Sequence, residues 1–149
     1  MRQKIEIFSL DKSLGFLLYR SHIQVSAALR QAFQDSGHDL TPEQWAVLLR
    51  LREQEGLNQS HLGEKTYKDR HNITRILKQL DKRGYIKKLH DKKDKRAFRV
   101  YLSPAGRSLL RELKQVVLKH RDRLSNGFSK DDLLNIRDYL HRIVDNLLR

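Results

Sequence analysis

Apolar residues recur every three or four positions along most of the chain, which is the spacing of amphipathic helices. The first such pattern covers residues 10–36 and ends near Gly37, where a glycine can terminate a helix. Thr41 and Gln44 predict the start of a second helix, as the N-cap and the partner residue of a capping box. This second pattern stops around Gly56.

Two shorter helical patterns follow. Asn58 can cap a third helix that ends before Thr66, and a fourth begins at Lys68 or Asp69 and runs to Gly84. Their apolar positions have the spacing to pack both helices on the second one: Leu62, Ile73, Ile76, Leu77 and Leu80. Because the fourth helix begins with polar and basic residues, the pair indicates a helix-turn-helix.

After the fourth helix the apolar period changes to two, which is typical of strands. Residues 85–89 and 98–102 predict a β-hairpin, and the charged run 91–96 is the loop between its strands. A helix-turn-helix followed by a hairpin is a winged helix, with the loop as its wing. Ser103 then predicts the cap of a long helix, and Ser129 that of a last one.

A chain of 149 residues fits a single domain, residues 1–149. The patterns place a winged helix-turn-helix DNA-binding lobe at residues 40–102, flanked by helices in residues 8–36 and 103–149. These flanking helices are apolar over more than one face, which predicts a dimer interface. The alternative is that they cover one another in a monomer. The expected fold class is mainly α with a small β-hairpin, a winged helix-turn-helix with added N- and C-terminal dimerisation helices.

Positive charge is concentrated in the predicted winged helix. The chain carries a net charge of +13, and residues 65–99 hold 14 Lys or Arg against 4 Asp or Glu, which is +10 of that total. Such a localised field favours a surface that binds nucleic acid, with a merely solvated basic surface as the alternative.

Other classes of protein find little support. No apolar run approaches the roughly 18 residues that span a bilayer, and residues 1–10 lack the apolar core of a signal peptide. The chain has no cysteine, which excludes disulfides, thiolate catalysis and cysteine zinc sites, and a cytoplasmic protein is the simplest expectation.

Catalytic and metal-binding motifs are also lacking in the sequence. It contains no nucleotide-binding glycine loop and no catalytic motif, so we expect no enzyme and no cofactor. Its seven histidines include no pair three or four residues apart, so no metal site is predicted, although a zinc site assembled across helices stays open.

The start of the fourth helix and the wing hold the predicted DNA contacts. Arg70, His71, Asn72 and Thr74 can reach base edges from the helix start. Four other cations are expected to touch phosphates: Lys65, Lys68, Arg75 and Lys78. In the wing, the outward Lys92, Lys93 and Lys95 would supply contact. Asp91 and Asp94 would shape the loop by pairing with Arg96 or by accepting loop N–H groups.

The motifs in this part of the sequence, and the spacing between them, resemble those of the MarR family of bacterial winged-helix transcriptional regulators. The resemblance covers nearly the whole chain and is carried by Thr74-Arg75, Leu80-x-x-x-Gly84, Asp91-x-x-Asp94-x-Arg96 and Leu102-Ser103-x-x-Gly106. Many members have Arg where this wing has Lys93 and Lys95. The members that sense peroxides use cysteine, so the chain is not expected to belong to that branch.

The resemblance implies a triangular homodimer on a pseudo-palindromic operator, with each recognition helix in a major groove and each wing in the adjacent minor groove. It also implies an effector cleft between the dimerisation helices and the DNA-binding lobe. Candidate wall residues are Tyr19, His22, Trp45 and Leu49, for which an ordinary core role is the alternative, and a basic lining would favour a small aromatic or anionic ligand.

Three functions therefore remain. The first is a ligand-responsive repressor that binds double-stranded DNA as a homodimer. The second is an architectural protein that coats DNA without sequence preference, for which the charge alone would suffice. The third is an enzyme or scaffold that uses the winged helix for protein contacts.

Overall fold

The computed structural model describes residues 9–149. The first residue of the predicted 8–36 segment and most of residues 1–10 lie outside this range. A 3-10 turn at Leu10–Lys12 precedes helix α1, Leu14–Asp35. The helix begins four residues later than its apolar pattern predicts because Ser13 is the N-cap, with its hydroxyl accepting the N–H of Phe16 over 3.4 Å.

The helix-turn-helix consists of α2 (Pro42–Glu53), α3 (Gln59–Lys65) and α4 (Arg70–Lys82). The capping box at the start of α2 is formed as its sequence predicts, since Thr41 and Gln44 each accept the other's backbone N–H over 3.1 Å. Asn58 caps α3 and Asp69 caps α4. Local side-chain chemistry thus sets where all three helices begin.

The wing belongs to a three-stranded antiparallel sheet rather than to a two-stranded hairpin. Its strands are β1 (Leu57–Asn58), β2 (Ile86–His90) and β3 (Phe98–Leu102), in the order β1-β3-β2. The hairpin strands were predicted to within one residue, but β1 was missed because two residues are too few to show a period.

One hydrophobic core joins α1, the helix-turn-helix, the sheet and the first half of the next helix. Helix α5, Pro104–Leu124, is capped by Ser103 and buries Leu109, Leu110 and Leu113 in this core. Gly106 lies so close to the residue before β2 that a Cβ there would approach the carbonyl oxygen of Tyr85 to 2.1 Å. The start of α5 is therefore fixed against the end of the hairpin that lies opposite to the wing.

The last helix, α6 at Lys130–Leu147, has no buried residue. Large apolar side chains are exposed along its length: Leu133, Leu134, Ile136, Tyr139, Leu140, Val144 and Leu147. Leu14, Leu17 and Ile23 are similarly exposed on α1. Within residues 9–149 these apolar faces of α1 and α6 are therefore uncovered, although α1 also packs on α5. The dimer interface stays a prediction. Within residues 9–149 no helix combines the length and apolar character needed to cross a bilayer.

Candidate nucleic-acid interface

Asp69 organises the start of α4. Its carboxylate accepts the backbone N–H of Asn72 over 2.8 Å and the Asn72 side-chain amide over 3.1 Å. Arg70, His71 and Thr74 are exposed, whereas Asn72 is half-buried and Ile73 points into the core. The polar end of α4 therefore faces outward as predicted, but one amide hydrogen of Asn72 is already engaged.

Thr74 is less available to DNA than the sequence suggests. Its hydroxyl donates to the carbonyl oxygen of Arg70 over 2.7 Å and accepts the side-chain amide of Gln59 over 2.6 Å. The single hydroxyl hydrogen is thereby used within the helix. Gln59 is brought beside Thr74 by its position at the start of α3, and no sequence pattern indicates this contact.

Two of the predicted phosphate contacts share an acidic partner. The carboxylate of Glu43, in the first turn of α2, lies 3.4 Å from Nζ of Lys68 and 3.5 Å from the guanidinium of Arg75. The side chains of Lys65 and Lys78 are exposed. Glu43 thus neutralises part of the positive charge at the start of α4. This role depends on the packing of α2 on α4 and is not visible in the sequence.

We expect Glu43→Gln to strengthen binding to a mixed-sequence 30-base-pair duplex two- to fivefold, roughly the value of one exposed ion pair. The substitution releases Lys68 and Arg75 to neutralise phosphates, so the salt dependence should also become steeper. Fluorescence anisotropy across a salt series measures both effects. Asp81→Asn removes one negative charge from an exposed position of α4 without releasing these cations. An equal gain in affinity in that variant would contradict the release of Lys68 and Arg75 as the cause.

The wing is held by its two acidic residues. Asp91 accepts the N–H of Lys93 over 2.8 Å, and Asp94 accepts the N–H of Arg96 over 3.0 Å. Of the two alternatives predicted for these acids, acceptance of loop N–H groups is therefore found. The guanidinium that pairs with Asp91 belongs to Arg99, at 2.8 Å, rather than to Arg96. Arg99 also donates to the carbonyl oxygen of Gly56 over 2.9 Å, which ties the wing to β1.

This arrangement leaves the four cations of the wing, Lys92, Lys93, Lys95 and Arg96, exposed. It also lowers the pKa of Asp91 from its ordinary 3.8, chiefly through the N–H of Lys93, with Arg99 adding to the effect against some desolvation. Because the folded-state pKa is depressed, the carboxylate's stabilising contribution is complete above pH 3.8 and is lost as the pH falls through the lowered value.

We expect Asp91→Ala to loosen the wing at neutral pH while the core stays folded, since the substitution removes the acceptor for both Lys93 and Arg99. Limited trypsin digestion should then cleave faster after the wing cations. Asp81→Ala, at an exposed position of α4, is the matched control and should leave the cleavage rate unchanged. Unchanged cleavage in the Asp91 variant would show that the loop holds its shape without this carboxylate.

A groove of about 910 Å³ separates the wing from the helix-turn-helix. Its walls include Gln59, Tyr67, Lys68 and Arg70 on one side, and Arg96 and Phe98 on the other. The structure thus brings a predicted base contact, Arg70, and a predicted wing contact, Arg96, to the walls of one concave basic surface. A nucleic-acid strand is the polyanion that such a surface suits.

The four effector candidates have different surroundings. Tyr19 and His22 are exposed on α1, and the ring of Tyr19 lies 6.3 Å from that of Phe16 on the same helix. Trp45 and Leu49 are half-buried, and Trp45 packs on Phe33 with the ring centroids 5.6 Å apart. Trp45 therefore packs against the core while part of its side chain stays accessible, and the effector role of these four residues stays a prediction.

A separate cavity of about 340 Å³ lies between α1 and α5, and no pattern in the sequence predicts it. Ala28, Ala32 and Val116 line it beside Lys119, His120 and Arg123. Desolvation by burial, followed by the charge of Arg123, lowers the pKa of His120 from its ordinary value. Across residues 9–149, histidine, aspartate and glutamate form no group of three that could hold a metal ion.

The chain is similar in sequence to known transcriptional regulators. A model of the MarR family matches residues 40–98, which span α2 to the start of β3. The transcriptional regulator TtmR of Methylorubrum extorquens is 31% identical over 139 residues, which cover 93% of this chain and 69% of TtmR.

Two solved structures have the same fold over nearly the whole chain. The repressor CouR, bound to a 23-mer DNA duplex, is 27% identical with a TM-score of 0.79 and covers 98% of this chain and 99% of its own. BpsR of Bordetella bronchiseptica, whose DNA binding is regulated by 6-hydroxynicotinic acid, is 25% identical with a TM-score of 0.85 and covers 93% and 97%. The predicted fold class is confirmed, and the chain belongs to the MarR family of DNA-binding transcriptional regulators rather than to a class of enzymes.

Proposed function

We propose that this protein is a sequence-specific repressor that acts as a homodimer on a pseudo-palindromic operator. The observation that carries the proposal is the groove shared by the start of α4 and the wing, with Arg70 on one wall and Arg96 on the other. Arg70, His71 and Asn72 would contact base edges in the major groove. The exposed wing cations would enter the adjacent minor groove.

The remaining cations would fix the register of the protein on the duplex. Lys65, Lys68, Arg75 and Lys78 flank the base-reading positions, where phosphate contacts supply affinity but no sequence information. The bond between Thr74 and Gln59 would hold the start of α4 against α3 while the helix reads bases. A protein that acts on chromosomal DNA in this way would work in the cytoplasm.

A second copy of the chain is the proposed occupant of the exposed apolar faces of α1 and α6. Such a face is costly in water, and a twofold dimer would cover it with the same face of its partner. The two α4 helices would then lie about one helical turn, ~34 Å, apart on the duplex. The flanking segments 8–36 and 103–149 are thus the proposed dimerisation helices, around a DNA-binding lobe at residues 40–102.

We also propose that a small aromatic or anionic ligand controls this dimer. BpsR responds to an aromatic acid, which supports the same class of effector for this chain. Tyr19, His22, Trp45 and Leu49 remain candidate contacts, and the basic α1–α5 cavity is a second candidate location. Binding would change the spacing of the two α4 helices and so shift the population of DNA-competent dimers.

Selection from a pool of random duplexes tests the proposal against the architectural alternative. We expect the bound fraction at physiological salt to converge on an inverted repeat, and a scrambled duplex to compete at least a thousandfold less well, the lower end for specific regulators. Failure to enrich any sequence, with equal competition by every duplex, would favour a protein that coats DNA through charge alone.

A further inference from the structure

Helix α3 ends at a residue whose conformation is unusual for its type. Thr66 is the C-cap, and beyond it the N–H of Tyr67 bonds the carbonyl oxygen of Glu64 over 3.2 Å while the N–H of Lys68 bonds that of Gly63 over 2.9 Å. This pair of bonds is a Schellman motif, in which the left-handed residue is usually glycine. Here it is Tyr67, with φ of 55°, the one non-glycine residue at positive φ in residues 9–149.

The chain uses glycine at the equivalent position elsewhere. Gly37 after α1 and Gly84 after α4 complete the same pair of backbone bonds, with φ of 84° and 77°. A Cβ in the left-handed region crowds the backbone, whereas glycine adopts that region freely. The turn between α3 and α4 would therefore form more easily with glycine, so the Tyr67 side chain is not there to make the turn.

Nor does the Tyr67 side chain contribute to the core. It is 91% exposed, the highest value among the large apolar and aromatic side chains of the described region. Its position is on the wall of the groove between the wing and the helix-turn-helix, with Lys68, Arg70 and Arg96 on the same surface. A strained residue that presents an unburied ring to a binding groove indicates a contact made outside the chain.

We propose that Tyr67 binds the DNA backbone, with its phenolic O–H donating to a phosphate oxygen and its ring packing on the adjacent deoxyribose. The inference rests on the proposed DNA-binding groove, and it names a contact that the cationic residues do not supply. A neutral donor releases no counterion, so Tyr67 would add affinity without adding to the salt dependence. It would also anchor the turn that leads into α4.

Tyr67→Phe and Tyr67→Gly test this contact on a mixed-sequence 30-base-pair duplex, because a backbone contact carries no sequence information. We expect Tyr67→Phe to bind roughly tenfold more weakly for each protomer that contacts the duplex, as for loss of a hydrogen bond to a charged acceptor, and Tyr67→Gly more weakly still. Both should keep the wild-type slope of log affinity against log salt. The urea midpoint of Tyr67→Gly should equal or exceed that of wild type because the strain is relieved.

Lys95→Ala and Gly37→Ala are the controls. Lys95→Ala should lower the slope of log affinity against log salt. Gly37→Ala puts a side chain at positive φ where glycine now stands, with open space around it, so it should lower the urea midpoint. Tyr67 variants that bind within twofold of wild type, while Lys95→Ala weakens binding, would overturn the Tyr67 contact alone. A lower urea midpoint for Tyr67→Gly would also overturn it, by assigning the residue to the fold. If Lys95→Ala and Lys68→Ala bind like wild type too, the proposed groove itself fails, since both are proposed phosphate contacts and Lys68 lines the groove.

Discussion

Replacing Leu140 by glutamate is expected to split the proposed homodimer and to weaken operator binding at least about 100-fold. Leu140 is 44% exposed in the middle of the uncovered apolar face of α6. In a twofold dimer the substitution introduces two charges into one apolar interface, where neither has a partner. The monomer would engage one half-site at a time, and the affinity gained by linking two sites, roughly 10²- to 10⁴-fold, would be lost.

Sedimentation velocity gives the association state of the variant, and fluorescence anisotropy gives its affinity for the selected operator. Asn135→Glu adds the same charge to α6 on the side away from Leu133, and it should leave both measurements close to wild type. Because α6 has no buried residue within the chain, the Leu140 variant should keep the helical circular dichroism of a folded lobe. A dimer that persists in the Leu140 variant would show that α6 is not the interface.

Arg70→Ala carries the second large effect, a loss of sequence preference. A bidentate contact to a base is worth about 1–3 kcal/mol, and the twofold dimer would lose two of them, or about 2–6 kcal/mol on the operator. Binding to a scrambled duplex should fall far less, because the phosphate contacts remain. Competition titration of operator against scrambled duplex measures the ratio directly.

Asn72→Ala should give a similar relaxation at a different base pair. The half-buried amide of Asn72 still has one hydrogen and its oxygen available after its bond to Asp69. Lys78→Ala provides the contrast, since removal of a phosphate contact should weaken every sequence alike. Equal losses on operator and scrambled DNA in the Arg70 variant would show that this arginine reads no base.

Features encoded by neighbouring residues could be predicted from the sequence. The caps of α2 and α5 depend on side chains within three positions of the backbone groups they bind, so Thr41 and Ser103 identify the helix starts correctly. The change of apolar period after α4 likewise reveals the two hairpin strands. The start of α1 could not be predicted in this way. Its apolar repeat begins at Leu10, before the N-cap Ser13, so the repeat alone does not indicate the first helical residue.

Features that depend on tertiary packing could not be predicted in the same way. Glu43 meets Lys68 and Arg75 only because α2 packs on α4, and Gln59 meets Thr74 only because α3 crosses the start of α4. Arg99 was assigned to a strand from its alternating pattern, and no local signal marks it as the partner of Asp91. The positive φ of Tyr67 is a backbone property that its residue type does not predict, since a left-handed residue is usually glycine.

In the proposed complex one dimer reads two half-sites with a pair of α4 helices and two wings. Footprinting of the selected operator, with methylation interference for the major groove and hydroxyl radicals for the backbone, tests this arrangement. We expect two major-groove contacts centred about 10 base pairs apart, with flanking protection that disappears when the wing cations are replaced by alanine. Uniform protection along any duplex, without a repeat of one helical turn, would contradict it.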